Sequence, residues 1–496
     1  MLDIRPDNGP IVPPSPWSTI PSMAEIHELT MIELAAAIRA GELSPVAVAD
    51  HYLRRTVEFN DRVGAFFTIT AELAAEQARD AEKAVVSAGD KAELPPLTGV
   101  PIPIKDLNMV AGVRQTLGSV AFEHNVPDTD DYVVGAIRRA GAVITGKTAT
   151  PEFGLPCYTE TEVGPPARTP WDLSRSAGGS SGGAAAAVAS GLAPAAQGSD
   201  GGGSIRIPSS VCGLFGIKPT RGRVSAGPLV PDLDGLAVNG PIARTVADAA
   251  LLLDVMAGNY PGDMYTLPPL PEGESFLGYA RREPGKLRIG RTMANPVEGA
   301  EVHPDCVTAY EEASTLLASL GHEVEDVAMP LGTDSVPFFE VLWYAQATLA
   351  PLAPEQEEVL RPLTHYLRDR GKALSAAELI FAQAYLQAVT RMALTAMNAY
   401  DAILTPTLAL PPVPVGYFDE VTPAENFERQ KRFTPFTAVY NVSGQPAVNL
   451  PLHWNAAGLP IGVMLAGRMG AEATLISLSA QVEQARPWAH RHPPVW

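Results

Sequence analysis

Residues 198–208, GSDGGGSIRIP, place three consecutive glycines directly before Ser204. An earlier stretch, GGSSGG at residues 178–183, surrounds Ser180 in the same way. In chain order, residues 178–183 are the first glycine cluster and residues 198–204 the second. Glycine costs backbone entropy inside a helix or strand, so two such clusters need a local reason. They could cradle a phosphate, bend the chain or present a serine for chemistry.

The second glycine cluster does not fit the common phosphate-binding patterns. A phosphate loop requires GxxxxGK[ST], but residues 198–203 are followed by Ser204 where the lysine would stand. A dinucleotide fingerprint requires GxGxxG, and Arg206 occupies the place of its third glycine. The sequence therefore excludes both kinds of phosphate site.

The first cluster matches the nucleophile elbow GxSxG with Ser180 as nucleophile, which leaves an esterase of the α/β-hydrolase type open. That enzyme needs a strand before the elbow, and RTPWDLSRSA (168–177) is too polar for one. It also needs a downstream acid and histidine. Nothing in the sequence singles out any of the candidates, which are His303, His322, His365 and His453.

Lys105 lies within the apolar segment PLTGVPIPIKDLNMV (96–110), which predicts a buried strand or strand edge. Desolvation there would lower the pKa of the ammonium group towards neutrality. A neutral lysine can activate a serine without histidine. The alternative is that Lys105 lies at the end of its strand in a salt bridge with Asp106 or another nearby acid.

Ser204 is the second candidate nucleophile. The backbone N–H groups of the three glycines before it could turn together with its own into a nest for a developing oxyanion. The alternative is a tight glycine loop that approaches a helix, with Ser204 as the helix N-cap.

Composition indicates a globular protein, and the charge is more compatible with a neutral or cationic small partner than with an anionic one. The chain has 496 residues, 46% of them apolar, and a formal charge of −19, which leaves no broad basic surface for nucleic acid or an anionic membrane. The three cysteines are far apart and form neither a disulfide framework nor a zinc site, which predicts the cytoplasm. We expect no metal site, because the HRH at residues 490–492 has no third ligand in view.

Helical and strand patterns alternate along the chain without a linker, which predicts one α/β domain after a proline-rich tail at residues 1–25. The predicted elements are two helices between residues 26 and 60 that break at Gly41 and restart at Ser44, helices at 71–88 and 131–140, an alanine-rich helix after 183, strands at 143–145, 286–292 and 400–407, and a hairpin that turns at 455–458.

The segments PIPIKD (101–106) and ARTPWDLSRSAGGSSGGAAAAVASGLAPAAQGSDGGGSIRIPSSVCGLFGIKPTRGRVS (167–225) resemble the amidase signature family in motif order and spacing. The resemblance implies a single α/β domain over residues 26–496, with its signature core at about 96–225. Its mixed, twisted central sheet would be covered on both faces by helices.

The resemblance also implies a catalytic triad and an amide-hydrolysing activity. Ser204 would be the nucleophile, Lys105 the base, and Ser180 the serine between them, held by a cis peptide bond after Gly179. The triad would act through an acyl-enzyme and would need neither a metal nor an organic cofactor.

Two further groups of residues follow from the same resemblance. The oxyanion hole would be formed by the backbone amides of the three loop glycines, which are Gly201, Gly202 and Gly203. Asp200 and Arg206 would form a supporting pair beside the nucleophile loop, and the alternative for them is a plain surface ion pair.

Two departures from the family pattern bear on substrate choice rather than on the triad. Gly201 stands where most members carry threonine or another side chain, and Thr169 stands where asparagine is usual. A glycine at 201 predicts a more flexible loop and a roomier pocket.

The segments RGRVSAGPLV and NVSGQPA are similar to the branch that includes 6-aminohexanoate cyclic dimer hydrolase, aryl acylamidases and urethane-cleaving amidases. The expected substrate is therefore a linear, aryl or cyclic amide, or a carbamate, and the enzyme a monomer or homodimer. A partner-dependent glutaminase subunit of an amidotransferase is a second alternative. By analogy the acyl pocket would be lined by Leu155, Pro156, Cys157 and Tyr158, unless these form a surface loop with one buried cysteine.

Overall fold

The computed structural model describes residues 23–229, 234–329 and 331–496, so the predicted tail at 1–25 lies almost wholly outside the described residues. Those residues form an eight-stranded sheet and a separate three-stranded sheet. The strands are β1 (Phe66–Ile69), β2 (Ile104–Lys105), β3 (Gly146–Thr148), β4 (Ala195–Asp200), β5 (Phe215–Lys218), β6 (Val238–Ala243), β7 (Arg288–Arg291), β8 (Glu323–Asp326), β9 (Ala402–Pro406), β10 (Ala447–Trp454) and β11 (Pro460–Gly467).

The strand order in the large sheet is β4-β6-β5-β10-β11-β9-β7-β8, and in the small sheet it is β1-β3-β2. Strand β7 runs parallel to β8 and β9, whereas the pairs from β4 to β9 along the large sheet are antiparallel. The sheet is therefore mixed, as the family resemblance implies.

Helices surround both sheets, and each helix in the described ranges is too short or too polar to span a bilayer. The helices are α1 (Met31–Ala40), α2 (Pro45–Val63), α3 (Ala71–Ser87), α4 (Tyr132–Arg139), α5 (Gly182–Ala189), α6 (Arg206–Cys212), α7 (Val246–Met256), α8 (Phe276–Tyr279), α9 (Pro304–Ser319), α10 (Val336–Ala347), α11 (Pro354–Glu358), α12 (Pro362–Lys372), α13 (Ala376–Met397), α14 (Pro423–Phe433), α15 (Val439–Val442) and α16 (Glu472–Ala485).

Neighbouring residues of the large sheet face two different apolar cores. Ala195 and Ala243 belong to a core with α1, α4, α7, α9 and α16, while the adjacent Ala196 and Ile242 belong to a core with α5, α6, α12 and α14. Successive strand residues point to opposite faces of a sheet, so helices cover both faces. The predicted single-domain α/β fold is confirmed.

Several local predictions are confirmed because their signals are short-range. Helix α1 ends at Gly41, which has a left-handed φ of 79°, and Ser44 caps α2 by accepting a hydrogen bond from Ala47 N at 3.2 Å. The predicted hairpin forms between β10 and β11, with the Gly458 N–H donating to Asn455 O.

The predicted strand at 143–145 is displaced towards the C-terminus. Val143 makes only an isolated bridge with Pro101, and the continuous ladder begins at Gly146. Proline has no N–H to donate, so the segment with Pro101 and Pro103 cannot form a long ladder, and only Ile104–Lys105 is a strand.

The unit α5-β4-α6 carries both glycine clusters. The alanines of α5 are fully buried, so small side chains let this helix lie close against the sheet. The first cluster leads into α5, and the second connects the end of β4 to the start of α6. This packing fixes the two clusters relative to each other.

We predict that Ala186→Leu in α5 lowers the free energy of unfolding by about 1–3 kcal/mol, because the added atoms have no space in a close-packed interior. Ala384→Leu, on the exposed side of α13, is the matched control and should change it by less than about 0.5 kcal/mol. Guanidinium denaturation measures both values. Equal effects of the two substitutions would contradict close packing of α5.

Candidate active site

Lys105 lies in β2 with its side chain fully buried and its amine directed at Ser180. Its Nζ donates to Ser180 Oγ at 2.8 Å, to Ser199 Oγ at 3.0 Å and to Ser199 O at 3.3 Å. Its backbone N–H donates to Gln197 Oε1 at 2.9 Å. Gln197 and Ser199 are two residues apart in β4 and share a face of that strand, so strand alternation is the signal that could have found them.

Burial lowers the pKa of Lys105 to about 7, although the nearby Asp200 acts to raise it. The alternative salt bridge with Asp106 is wrong. The Asp106 carboxylate accepts a hydrogen bond from Lys147 Nζ at 2.8 Å, and both of these side chains are fully buried. Lys105 is thus close to Ser180 and free of a salt bridge to its neighbour in sequence.

The first glycine cluster positions Ser180 beside Lys105. The Gly179–Ser180 peptide bond is cis, as the resemblance implies. A Cβ at Gly179 would lie 2.8 Å from the backbone N and C of Tyr158, so only glycine fits there. This close approach of two backbone segments explains why the cluster needs glycine.

Ser204 lies between β4 and α6, next to the first glycine cluster. Its carbonyl accepts a hydrogen bond from Ser181 N at 3.1 Å. Its hydroxyl makes no hydrogen bond to any described residue, and Ser204 lines a cavity. The structure therefore brings Lys105, Ser180 and Ser204 onto adjacent segments. Within the described residues a hydrogen bond joins Lys105 to Ser180, and none joins Ser180 to Ser204.

The three loop glycines differ in what they can do for an oxyanion. The Gly203 N–H donates to Asp200 Oδ1 at 2.8 Å, so this amide is already engaged and the predicted oxyanion hole needs correction there. The amides of Gly201, Gly202 and Ser204 have no acceptor among the described residues. Glycine is required at position 203 for conformational and steric reasons. Its φ is 133°, which other residues rarely adopt, and a Cβ there would lie 2.5 Å from Thr437 Oγ1.

Asp200 and Arg206 form a fully buried pair rather than a surface ion pair. Arg206 donates from Nη2 to Asp200 Oδ1 at 2.8 Å and from Nε to Oδ2 at 2.9 Å. Asn441 Nδ2 donates to the same Oδ1 at 2.8 Å and to the Asp200 carbonyl at 2.9 Å. The sequence analysis did not identify Asn441. Its motif NVSGQPA resembles the family, but nothing in the motif indicates that Asn441 donates hydrogen bonds to Asp200.

The cavity at Ser204 is mostly apolar and is lined by residues from distant parts of the chain. Leu155, Pro156 and Cys157 line it, as predicted from the resemblance. Tyr158 does not, and this assignment is corrected. Its ring stacks on Phe418 with centroids 4.6 Å apart, and its hydroxyl donates to Asp419 at 2.6 Å, which turns the side chain away from the cavity.

In the part of the chain that the structure describes, the alternative of an α/β-hydrolase with Ser180 as nucleophile lacks both the histidine partner and the preceding strand that it requires. Across the described residues no histidine is hydrogen-bonded to Ser180, and the segment before it contains no strand. His453 and His322 have other partners, which are Glu312 and Gln481. The Ser180 hydroxyl contacts a lysine instead.

In the described ranges, no three His, Cys, Asp or Glu side chains are close enough together to hold a metal ion.

Comparison with known proteins supports the likeness found in the motifs. Residues 47–476 match the profile of the family described as Amidase. The 6-aminohexanoate-cyclic-dimer hydrolase of Paenarthrobacter ureafaciens is 35% identical over 489 residues, which cover 92% of this chain and 95% of the relative.

Solved structures give the same result. A 6-aminohexanoate cyclic dimer hydrolase complexed with substrate has a TM-score of 0.86 and 31% identity, and the match covers 95% of this chain and 99% of that one. A bacterial aryl acylamidase of the amidase signature enzymes has a TM-score of 0.83 and 26% identity, with 94% and 97% covered. The chain therefore belongs to the amidase signature family and is a hydrolase of amide carbon–nitrogen bonds.

Proposed function

We propose that this enzyme hydrolyses a small-molecule amide or carbamate through an acyl-enzyme on Ser204, with Lys105 as the base and Ser180 as the proton carrier between them. The observation that carries the proposal is the 2.8 Å contact between Lys105 Nζ and Ser180 Oγ, made by a lysine without a salt bridge to Asp106. A pKa of Lys105 near 7 leaves much of the amine neutral at neutral pH, which is the form that accepts a proton.

In the first half of the cycle Ser204 Oγ attacks the carbonyl carbon. Its proton passes to Ser180, and the proton of Ser180 passes to Lys105 Nζ. Negative charge on the carbonyl oxygen is stabilised by the unengaged amides of the Gly201–Ser204 loop. Lys105 then returns a proton through Ser180 to the leaving nitrogen, and the amine departs.

In the second half water hydrolyses the ester on Ser204. An amide substrate gives a carboxylic acid, and a carbamate gives a carbonic monoester that breaks down to carbon dioxide and an alcohol. The relatives matched over nearly their whole length are named as a cyclic dimer hydrolase and an aryl acylamidase. This favours a self-sufficient amidase over a glutaminase subunit that depends on partners.

The relatives are named for a cyclic dimer of 6-aminohexanoate and for aryl acylamides. We extend this class of substrate to the present enzyme. That it acts in the cytoplasm as a monomer or homodimer, without nucleic-acid or membrane partners, stays a prediction.

We predict that Ser204→Ala lowers kcat/KM for 4-nitroacetanilide by at least about 10³-fold, because it removes the nucleophile. Ser180→Ala should lower it by about 10²–10⁴-fold, since the proton path is cut but the nucleophile stays. Ser209→Ala is the matched control, because Ser209 is buried in α6 and its hydroxyl has no partner in the described residues. Activity that survives Ser204→Ala would contradict the proposal.

We predict that kcat/KM rises with pH through about 7 and levels off above about 8, because protonated Lys105 cannot accept the proton. Lys218 provides a sharp control, since burial also lowers its pKa to about 7 but its Nζ donates to Pro219 O. Lys218→Met should keep the rise, and Lys105→Met should leave a weak activity that is flat with pH. If the rise disappears in Lys218→Met but persists in Lys105→Met, the titrating group is Lys218, and the role proposed for Lys105 is contradicted.

A further inference from the structure

One wall of the cavity at Ser204 is a pair of aromatic rings on α10. Phe339 and Trp343 are one helical turn apart and stack with centroids 5.5 Å apart at 28° between their planes. Both line the cavity together with Gly202 and Ser204. The aromatic wall therefore faces the same cavity as the serine that we propose attacks the substrate.

The indole of Trp343 rests against the backbone of the nucleophile loop. A Cβ built at Gly202 would lie 3.4 Å from Trp343 Cη2, and one built at Gly201 would lie 3.8 Å from the same atom. Such distances correspond to ring atoms packed directly on a backbone without side chains. The position of the indole relative to the cavity therefore depends on the absence of side chains at Gly201 and Gly202.

Gly201 differs from its neighbour Gly203 in that nothing in the backbone requires glycine. Its φ is outside the left-handed region, and a Cβ there would make ordinary contacts of 3.8 Å with Ala237 and Trp343. Alanine would fit this gap. A threonine would add two heavy atoms beyond that Cβ, next to Ala237 and Trp343.

The cavity offers no free charge to a ligand. Of the described residues that line it, Lys431 alone is charged, and its Nζ is paired with Glu340 and with Glu428 at 2.7 Å. The amide of Gln430 is also engaged, because its Oε1 accepts from Cys157 N at 2.9 Å and its Nε2 donates to Asn426 at 2.7 Å. A charged group placed here would lose its hydration without a new partner.

This inference rests on the proposed function. We propose that the cavity binds an uncharged aromatic group of the substrate against Trp343. Gly201 determines this preference for aromatic substrates, because the absence of a side chain there leaves space for the indole outside the part of the cavity that the substrate occupies. An aromatic ring stacks well on indole and buries apolar area on both faces. Anionic and cationic amides are poor substrates, because the cavity cannot compensate their desolvation.

The test compares kcat/KM on five purified probes by product release. Phenylacetamide carries a ring in the acyl half and acetanilide in the amine half; acetamide carries none. Glutaramic acid is an anion and 6-aminohexanamide a cation. We expect at least one ring-bearing probe to exceed acetamide by about 10-fold or more, with both charged probes below it.

Variants at positions 201 and 343 test whether the preference for aromatic substrates arises at these two residues. Gly201→Thr should lower the ratio of aryl to acetamide kcat/KM by about 10-fold, whereas Gly201→Ala, whose Cβ fits, should keep the ratio. Trp343→Ala should abolish the preference and Trp343→Phe should restore part of it. Phe338→Ala is the control on the same helix, because Phe338 packs on Phe381 and Tyr385 and not on the cavity.

The outcomes separate this inference from the proposed function. If a charged probe is preferred, or if the aryl ratio is unchanged in Trp343→Ala and Gly201→Thr, the inference is overturned while loss of activity in Ser204→Ala still supports the nucleophile. If Ser204→Ala keeps full activity on every probe, the proposed function fails first. Thermal melting of each variant distinguishes a changed preference from an unfolded protein.

Discussion

The carboxylate of Asp200 is fully buried, and the shape of the loop that presents Ser204 depends on it. Burial acts to raise its pKa, but the guanidinium of Arg206 and its hydrogen bonds outweigh burial and hold the pKa below the usual range. The same carboxylate accepts the N–H groups of Gly203 and Ile205. A buried charge is stable only with such a complete set of partners. The loop is thereby held from both sides of Ser204.

This arrangement also explains how Lys105 can be partly neutral near two buried acids. Asp200 is paired with Arg206, and Asp106 is paired with Lys147. Each carboxylate therefore has its own cation, and neither forms a salt bridge with Lys105. Desolvation then dominates, and the pKa of the amine falls to about 7. The role that we propose for Lys105 as the base therefore depends on how the neighbouring charges are paired as well as on its own contact with Ser180.

The sequence predicts well whatever is encoded locally. Gly41 and the cap at Ser44 define a helix boundary, and alternation with a turn at residues 455–458 defines a hairpin, because each signal spans only a few residues. The motifs with Lys105, Ser180 and Ser204 give the site through family resemblance. The sequence could not show that the Gly203 amide is engaged by Asp200 or that Tyr158 turns to Phe418. Nor could it place Trp343 beside Ser204, since such contacts arise only when distant segments pack.

We propose that Ser204, and not Ser180 of the first glycine cluster, is the nucleophile. Reaction of the intact enzyme with a fluorophosphonate, followed by digestion and mass mapping of peptides, tests this most directly because the reagent bonds to the activated serine. We expect the label on Ser204, at a rate that rises with pH through about 7 as Lys105 loses its proton. A label on Ser180, with Ser204 unmodified, would contradict it.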